Sequence, residues 1–170
     1  MGNLESSRVT TLSERAGGLL SARGWRVAVA ESATGGLLGH LITKVPGSSE
    51  YFWGGVIAYA NDLKMNLLGV RRESLMRWGA VSSQVAWEMA KGACAAAGTE
   101  VGISITGIAG PTGATPQKPV GLYFVGLALP HECWVWRHRF QADRVANNAA
   151  VAQAALAHLV TYLAWPSYQL

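Results

Sequence analysis

The chain carries few charged residues for its length. Of its 170 residues, 14% are charged and 50% are hydrophobic, whereas about a quarter of the residues of a typical soluble domain are charged. The excess apolar surface predicts burial between copies, in a homodimer or a higher homo-oligomer. The net charge of +4 suits a small anionic ligand. It does not provide the concentrated basic face that nucleic-acid binding requires, so a nucleic-acid partner is not expected.

Cysteine, metal-ligand spacings and long apolar runs are also scarce. The two cysteines, Cys94 and Cys133, lie far apart in apolar surroundings and are expected to be small core residues rather than a disulfide. The four histidines show no metal-ligand spacing, so we predict neither a metal nor a cofactor. No apolar run reaches the ~18 residues of a membrane span, and the first residues lack a signal-peptide core. We therefore expect a cytoplasmic protein without a membrane partner.

Helical and apolar extended segments alternate along the chain. Periodicity and glycine or proline stops predict helices over residues 12–23, 37–45, 62–69, 72–78, 83–98 and 142–163. Strands are predicted over residues 26–30, 51–59, 100–105, 120–129 and 133–140. The last two strands form a hairpin, whereas the others are separated by helices. This order predicts one α/β domain over residues 1–170, with a core at about 12–163, built as three α/β/α layers around a mixed sheet.

Residues 44–64 combine hydroxyl groups with a nearby lysine. Ser48 and Ser49 follow a Pro-Gly turn, and Tyr59 and Lys64 follow an apolar strand. A serine acts as a nucleophile when a base takes its proton, and lysine is one such base. The interpretation depends on whether Ser48 or Ser49 meets Lys64 in the fold. The alternative is that Lys64 is a solvated helix lysine.

A turn rich in glycine and hydroxyl groups runs from a buried strand into a helix at residues 31–36. Such a turn presents free backbone N–H groups to an anion. The alternative is purely structural: Ser32 or Thr34 caps the helix, and Gly35 and Gly36 allow close packing. The pattern matches neither a phosphate-binding loop nor a dinucleotide fingerprint.

The longest irregular segment, residues 106–119, is rich in glycine and proline and also follows a buried strand. Long loops of this kind are usually functional. We expect it to fold over a ligand, with Thr106, Thr112 and Thr115 offering hydroxyl groups. The alternative is a plain crossover. Arg144 lies in the first turn of the last predicted helix, where a bound anion is favoured.

Several of these motifs, in this order and at this spacing, resemble the CinA C-terminal family. They are AESATGG, PGSSEYFWGGVIAYANDLK, GAVS, SITGIAGPTG, KPVG and FQADR, and the resemblance covers about residues 12–163. In many members this domain follows a molybdopterin-binding-like domain, whereas this chain resembles the free-standing members. The resemblance implies a CinA C-terminal-like fold and an amidohydrolase. Such an enzyme would convert nicotinamide mononucleotide, a small nucleotide substrate, to nicotinic acid mononucleotide and ammonia.

The resemblance also assigns residue roles in a metal-free Ser/Lys mechanism. It places the nucleophile at Ser48 or Ser49, with Ser49 preferred, makes Lys64 the general base, and gives Tyr59 a supporting hydrogen bond. The turns would supply oxyanion donors near residues 47–49 or at Gly107. The substrate-binding residues would be Ser32, Thr34, Gly35, Gly36, Thr106, Gly107, Gly110 and Arg144.

One position departs from the family pattern. The arginine that commonly lies four residues after Arg144 is replaced by Asn148, which puts the identity of the substrate in question more than the type of reaction. The alternative function is a non-catalytic nucleotide-binding or competence-associated interaction module.

Overall fold

A computed structural model describes residues 2–165, with side chains described from Leu12 onward. The helices are α1 (Gly2–Arg23), α2 (Leu37–Thr43), α3 (Asn61–Leu68), α4 (Arg72–Trp78), α5 (Ser83–Ala97) and α6 (Arg144–Leu163). The strands are β1 (Val27–Glu31), β2 (Phe52–Ile57), β3 (Val101–Gly107), β4 (Leu122–Ala128) and β5 (Cys133–Arg139). A 3-10 turn (Ser48–Glu50) leads into β2.

The strands form one mixed sheet in the order β2-β1-β3-β4-β5. β1 is parallel to both β2 and β3, whereas β4 is antiparallel to both β3 and β5. The predicted mixed sheet and its closing hairpin are therefore confirmed. Helix α1 begins at Gly2 rather than near Leu12. The segment before Leu12 contains no proline that would prevent a helix, and it has no apolar stripe from which a helix could be predicted.

Helices cover both faces of the sheet, which confirms the predicted three layers. Large apolar side chains such as Val29, Ile103 and Leu127 point to the face covered by α1, α2 and α6. The opposite face, under α5, carries small residues. A Cβ on Gly102 would lie 2.1 Å from the Ala90 carbonyl oxygen, and Ser104 donates its hydroxyl to the Ala86 carbonyl at 2.6 Å. Small residues thus let α5 pack directly on the backbone of the strands.

Adjacent glycines within a strand favour a bulge or a close backbone approach, and Gly54 and Gly55 of β2 accompany such an irregularity. The pairing register shifts so that Phe52 lies opposite Val27 and Gly54 opposite Ala28, which leaves Trp53 as the extra residue of a bulge. A Cβ on Gly55 would approach the Val29 carbonyl oxygen to 2.7 Å. Gly55 therefore permits the close approach of β2 to β1.

Within residues 2–165, no helix is both long and apolar enough to cross a membrane. The two cysteines are free thiols, each half-buried. In the same part of the chain, no group of three or more histidine, cysteine, aspartate or glutamate side chains is placed to hold a metal ion.

Candidate active site

The carboxyl ends of the three parallel strands meet at one edge of the sheet. The chain leaves β1 at Glu31, β2 at Ile57 and β3 at Gly107. The first two exits are joined directly, because the Ala58 amide donates to the Glu31 carbonyl at 2.8 Å. Ligands of open α/β sheets bind at this edge.

A cavity of about 320 Å³ opens at this edge, within the range of small-molecule sites. Its walls come from the turns after β1, β2 and β3, the segment before α5 and the start of α6. The lining residues are Ser32, Ala33, Tyr59, Lys64, Ala80, Val81, Thr106, Gly107, Ile108, Ala109, Gly110, Thr112, Gly113 and Arg144. The structure therefore brings Ser32 and Thr106 of the predicted binding set together with the predicted base, Lys64.

Lys64 is the most buried charged group of the cavity, with 1% of its surface exposed. Its Nζ donates to the carbonyl oxygens of Ala58, at 2.7 Å, and Tyr59, at 3.1 Å. Neither ion pair found among the described residues includes Lys64. Burial lowers the pKa of the Lys64 ammonium below its usual value, because desolvation disfavours the charged form. Burial without a carboxylate partner among the described residues therefore favours the neutral amine of Lys64 more than that of an exposed lysine.

Tyr59 connects Lys64 to Arg144. Its backbone carbonyl accepts from Lys64, and its hydroxyl accepts from a guanidinium nitrogen of Arg144 at 3.2 Å. Arg144 also donates to the Gly110 carbonyl at 2.8 Å. The predicted support of Lys64 by Tyr59 thus runs through the tyrosine backbone, while the exposed hydroxyl holds the arginine at the rim of the cavity.

Ser32 follows β1 directly and lies in the wall of the cavity. Its amide donates to the Ile105 carbonyl of β3 at 3.0 Å, which fixes the turn between the ends of two strands. The other serine and threonine side chains of the wall are Thr106 and Thr112. Thr106 donates its hydroxyl to the Ala80 carbonyl at 2.9 Å, and Thr112 is exposed on the loop. Ser32 is the one serine of the described chain that lines the cavity together with Lys64.

The start of α2 does not offer an anion site, contrary to one of the two interpretations of residues 31–36. The buried carboxylate of Glu31 accepts from the amides of Gly36 at 3.1 Å, Leu38 at 3.1 Å and Gly39 at 2.9 Å. A carboxylate at this position satisfies the N–H groups that a helix start leaves free. The protein's own side chain therefore fills the position that we considered for a substrate anion.

The remaining residues of that turn are structural in this arrangement. Neither Ser32 nor Thr34 is the N-cap of α2: that position is Gly36, and the amides at the helix start donate to Glu31. Thr34, Gly35 and Gly36 do not line the cavity. Gly36 has a φ of 102°, a left-handed conformation that favours glycine. Of the four residues predicted here to bind substrate, the structure brings Ser32 alone into the cavity.

The structure does not bring Ser48 or Ser49 to Lys64. Both residues belong to the 3-10 turn that precedes β2, whereas Lys64 bonds to the carbonyls that follow β2. Six strand residues separate the two positions, or about 20 Å at the usual rise of a parallel strand. Ser48 is half-buried, Ser49 is exposed, and neither lines the cavity. The predicted pairing, and an oxyanion donor at residues 47–49, therefore have no support in this geometry.

The loop after β3 is held by the start of α6. Asn147, fully buried, donates to the carbonyls of Ala109 at 3.1 Å and Ala142 at 2.9 Å, and accepts from the Ala142 amide at 3.1 Å. Gly107 is confined by Tyr123, whose ring would lie 2.1 Å from an added Cβ. Residues 107–110 are thus a fixed wall of the cavity rather than a free crossover.

Asn148 has a defined partner within the chain. Its side-chain oxygen accepts from the Tyr123 hydroxyl at 2.7 Å, and burial raises the pKa of Tyr123 to about 12. The asparagine therefore binds a neutral phenol. Asn148 supplies no positive charge to the cavity. The predicted anion-binding role therefore stays with Arg144, which lines the cavity wall.

Sequence reasoning missed Glu31 and Asn147 among the residues that shape the site. The sequence contains a signal for Glu31, because this carboxylate is the last residue of an otherwise apolar strand that is soon followed by a helix. Asn147 lies in an alanine-rich helix, and nothing local distinguishes it from a solvated residue.

Comparisons with known proteins agree with this architecture. A family profile described as the CinA C-terminal domain matches residues 9–163. A CinA-like protein of Salinibacter ruber is 52% identical over 146 residues, which cover 86% of this chain and 35% of the relative. A CinA-like protein of Synechococcus sp. is 54% identical over 134 residues, which cover 79% of this chain and 32% of the relative. The chain therefore spans about a third of the length of these curated relatives.

Solved structures show the same fold. The crystal structure of the competence/damage inducible protein CihA from Agrobacterium tumefaciens superposes with a TM-score of 0.88 at 34% identity, covering 91% of this chain and 94% of that one. A competence-damaged protein (CinA) superfamily protein from Klebsiella pneumoniae superposes with a TM-score of 0.89 at 34% identity, covering 92% and 99%.

Proposed function

Because this chain belongs to the CinA C-terminal domain family, we propose that it hydrolyses the carboxamide of nicotinamide mononucleotide to nicotinic acid mononucleotide and ammonia. One observation carries the proposal. A buried lysine with a lowered pKa, and with no carboxylate partner in the described part of the chain, shares a cavity with a serine at the adjoining strand end. Ser/Lys pairs of this kind serve acyl-transfer chemistry.

In the proposed first step, the Ser32 hydroxyl oxygen attacks the carboxamide carbon while the neutral Lys64 amine takes the hydroxyl proton. The resulting tetrahedral intermediate collapses as the Lys64 ammonium returns that proton to the amide nitrogen. The C–N bond breaks, and ammonia leaves an ester between Ser32 and the pyridine carboxyl group. Burial, which lowers the pKa of Lys64, favours the neutral amine that the first proton transfer requires.

In the second step, water attacks this ester. Lys64 takes a proton from the water and then returns one to the Ser32 oxygen, which releases nicotinic acid mononucleotide and restores the enzyme. The two carbonyls that accept from Nζ hold the lysine in position through both steps. The nucleophile of this proposal is therefore Ser32 instead of Ser49 or Ser48.

The phosphate of the nucleotide is assigned to Arg144. The guanidinium is exposed at the cavity rim and is held by Gly110 and Tyr59, so that its fork is preoriented for an anion. The wall formed by Thr106, Gly107 and Gly110 is assigned to the ribose and the pyridine ring. The reaction needs neither a metal nor a cofactor in this scheme.

The direct test is to incubate the purified chain with nicotinamide mononucleotide and to measure ammonia together with nicotinic acid mononucleotide. We expect equal amounts of the two products, unchanged turnover in the presence of a chelator, and much weaker activity with the riboside that lacks the phosphate. Saturable binding of the nucleotide without ammonia release would reject the enzyme and favour the non-catalytic binding module.

A further inference from the structure

One wall of the cavity is the short segment between α4 and α5, which belongs to neither a helix nor a strand. Ala80 and Val81 of this segment line the cavity. Side-chain donors hold its backbone: Thr106 donates to the Ala80 carbonyl at 2.9 Å, and Ser82 donates to the Gly79 carbonyl at 2.9 Å. The position of this wall therefore depends on side chains that reach its carbonyl groups.

Another wall is the outer part of the loop after β3, residues 111–117, all of which are exposed. Thr112 and Gly113 line the cavity. The Thr115 amide donates to the Lys118 carbonyl at 2.9 Å, and the Lys118 amide donates to the Thr115 carbonyl and hydroxyl, each at 3.1 Å. These bonds close a turn within the loop, but they do not attach the loop to the rest of the fold.

The Lys118 side chain connects these two walls. Its ammonium donates to the carbonyl of Trp78, the last residue of α4. It also lies over Gly79, where an added Cβ would be 2.8 Å from Nζ. A helix leaves its last carbonyls without an internal partner, and the negative end of the helix dipole attracts a cation. The contact therefore joins the loop to the start of the segment between α4 and α5.

This contact is not a by-product of a salt bridge. Neither ion pair found among the described residues includes Lys118. Partial burial lowers the pKa of the Lys118 ammonium, because the charged form loses hydration. The lysine thus gives up hydration to reach a backbone carbonyl.

We propose that Lys118 is a positioning residue of the cavity, which holds the wall with Thr112 and Gly113 against the wall with Ala80 and Val81. Lys118 does not itself line the cavity, so it acts through the two walls and not by touching the substrate. The inference rests on the proposed function for the identity of the bound ligand, a nucleotide.

The base of the loop has other supports. Arg144 donates to the Gly110 carbonyl, and Asn147 donates to the Ala109 carbonyl. Loss of the Lys118 contact should therefore release the outer part of the loop and leave its base and Lys64 in place. A wall that contacts the bound substrate and the transition state alike affects KM more than kcat.

Kinetics of Lys118→Met test this role, because the change removes the donor and keeps the length of the side chain. With nicotinamide mononucleotide, KM should rise at least about ten-fold while kcat stays within about three-fold. Lys118→Arg, which keeps a charged donor, should lie closer to the wild type. An unchanged KM, or a loss confined to kcat, would overturn the proposal, since a purely structural lysine would change the melting temperature alone.

The matched control is Lys91→Met. The Lys91 ammonium lies over the Trp87 ring at 4.5 Å, so this change also removes a lysine contact at a tryptophan, but away from the cavity. Its KM should equal that of the wild type, and a rise like that of Lys118→Met would overturn the assignment to the loop contact. Circular dichroism checks that every variant is folded.

Hydrogen exchange tests the contact without reference to activity. The Thr115 amide should exchange at least about ten times faster in Lys118→Met than in the wild type, whereas the Ile108 amide, bonded to Leu122 at the base of the loop, should not change. Unaltered exchange at Thr115 would overturn the proposal. If the wild type releases no ammonia, the proposed function fails. The exchange rates and the Kd of nicotinamide mononucleotide, measured by calorimetry, then decide the role of Lys118 in place of KM.

Discussion

The turn after β1 and the turn before β2 both combine serine with glycine and glutamate, but the structure gives them opposite surroundings. Ser32 lies in the cavity with Lys64, and Glu31 caps α2 from within the core. Ser49 and Glu50 are exposed at the far edge of the sheet. The difference arises because β1 and β2 are parallel, which puts the end of one strand and the start of the other at opposite edges. A serine near a lysine in sequence is therefore a poor guide to a serine near a lysine in space.

Replacing each serine separately tests this difference between the two turns with the largest expected effect. Ser32→Ala should reduce kcat/KM about a thousand-fold or more, as expected for loss of a nucleophile, whereas Ser49→Ala should retain activity within about two-fold. Ammonia release from nicotinamide mononucleotide measures both. The reverse result would restore Ser49 as the nucleophile and require a rearranged site.

The proposed general base can be tested by replacing Lys64 of α3 and, as a control, a lysine close to the turn before β2. Lys64→Arg should lose at least about a hundred-fold in activity, because a guanidinium stays protonated and cannot act as a base. Lys44→Arg, on the exposed segment before β2, is the control and should be unaffected. In the wild type, kcat/KM should rise with pH and level off once Lys64 is neutral, at a pH below the ordinary lysine pKa of 10.5. Activity that does not change with pH would count against Lys64 as the base.

The two glutamates test the same difference between the turns through their effect on stability. Glu31→Gln replaces a carboxylate that accepts from three amides, and should lower the free energy of unfolding by about 2 kcal/mol. The melting temperature should fall by about 4–8 °C, as measured by calorimetry. Glu50→Gln in the second turn is exposed and should change the melting temperature by about 1 °C or less. Equal losses would mean that the cap at α2 does not stabilise the fold.

The smallest expected effect concerns the pH dependence of the free energy of unfolding, which is distinct from the pH dependence of activity. His138 and His158 face each other at 3.0 Å between β5 and α6, and His158 stacks on Trp136. Burial and the neighbouring His138 lower the pKa of His158 to about 4. Because the unfolded imidazole titrates near 6.5, the unfolded state binds more protons between these values, and stability falls as pH drops through this window.

Replacement of this histidine should remove that dependence. In His158→Asn, the loss of unfolding free energy between about pH 6.5 and 4 should be smaller than in the wild type by about 1–2 kcal/mol, after allowance for partial exposure of the ring. Urea titrations at several pH values measure it. His40→Asn, which changes an exposed residue of α2, should leave the dependence as it is; an effect of the same size there would place the source outside the histidine pair.

The elements were predictable from sequence to different degrees. The strands and the five later helices follow from periodicity and from glycine stops, which are properties of neighbouring residues. The bulge and close approach in β2 follow from its adjacent glycines. The extension of α1 to Gly2 had no apolar pattern to reveal it. The role of Glu31 at the start of α2 was not predicted, because the adjoining glycines and hydroxyl groups are also typical of a ligand-binding turn.

Patterns among neighbouring residues predicted the order of elements, the mixed α/β class, and the presence of a lysine, an arginine and hydroxyl-bearing turns beside apolar strands. Those features are local, or follow from one apolar face per element. The packing of the elements, which no local pattern contains, puts Ser32 rather than Ser48 or Ser49 in the cavity with Lys64. It also puts Glu31 in the place of an anion at α2. Both outcomes depend on the direction in which distant strands pair. The two ends of a six-residue parallel strand such as β2 lie about 20 Å apart. No pattern within the strand indicates which end faces the ligand.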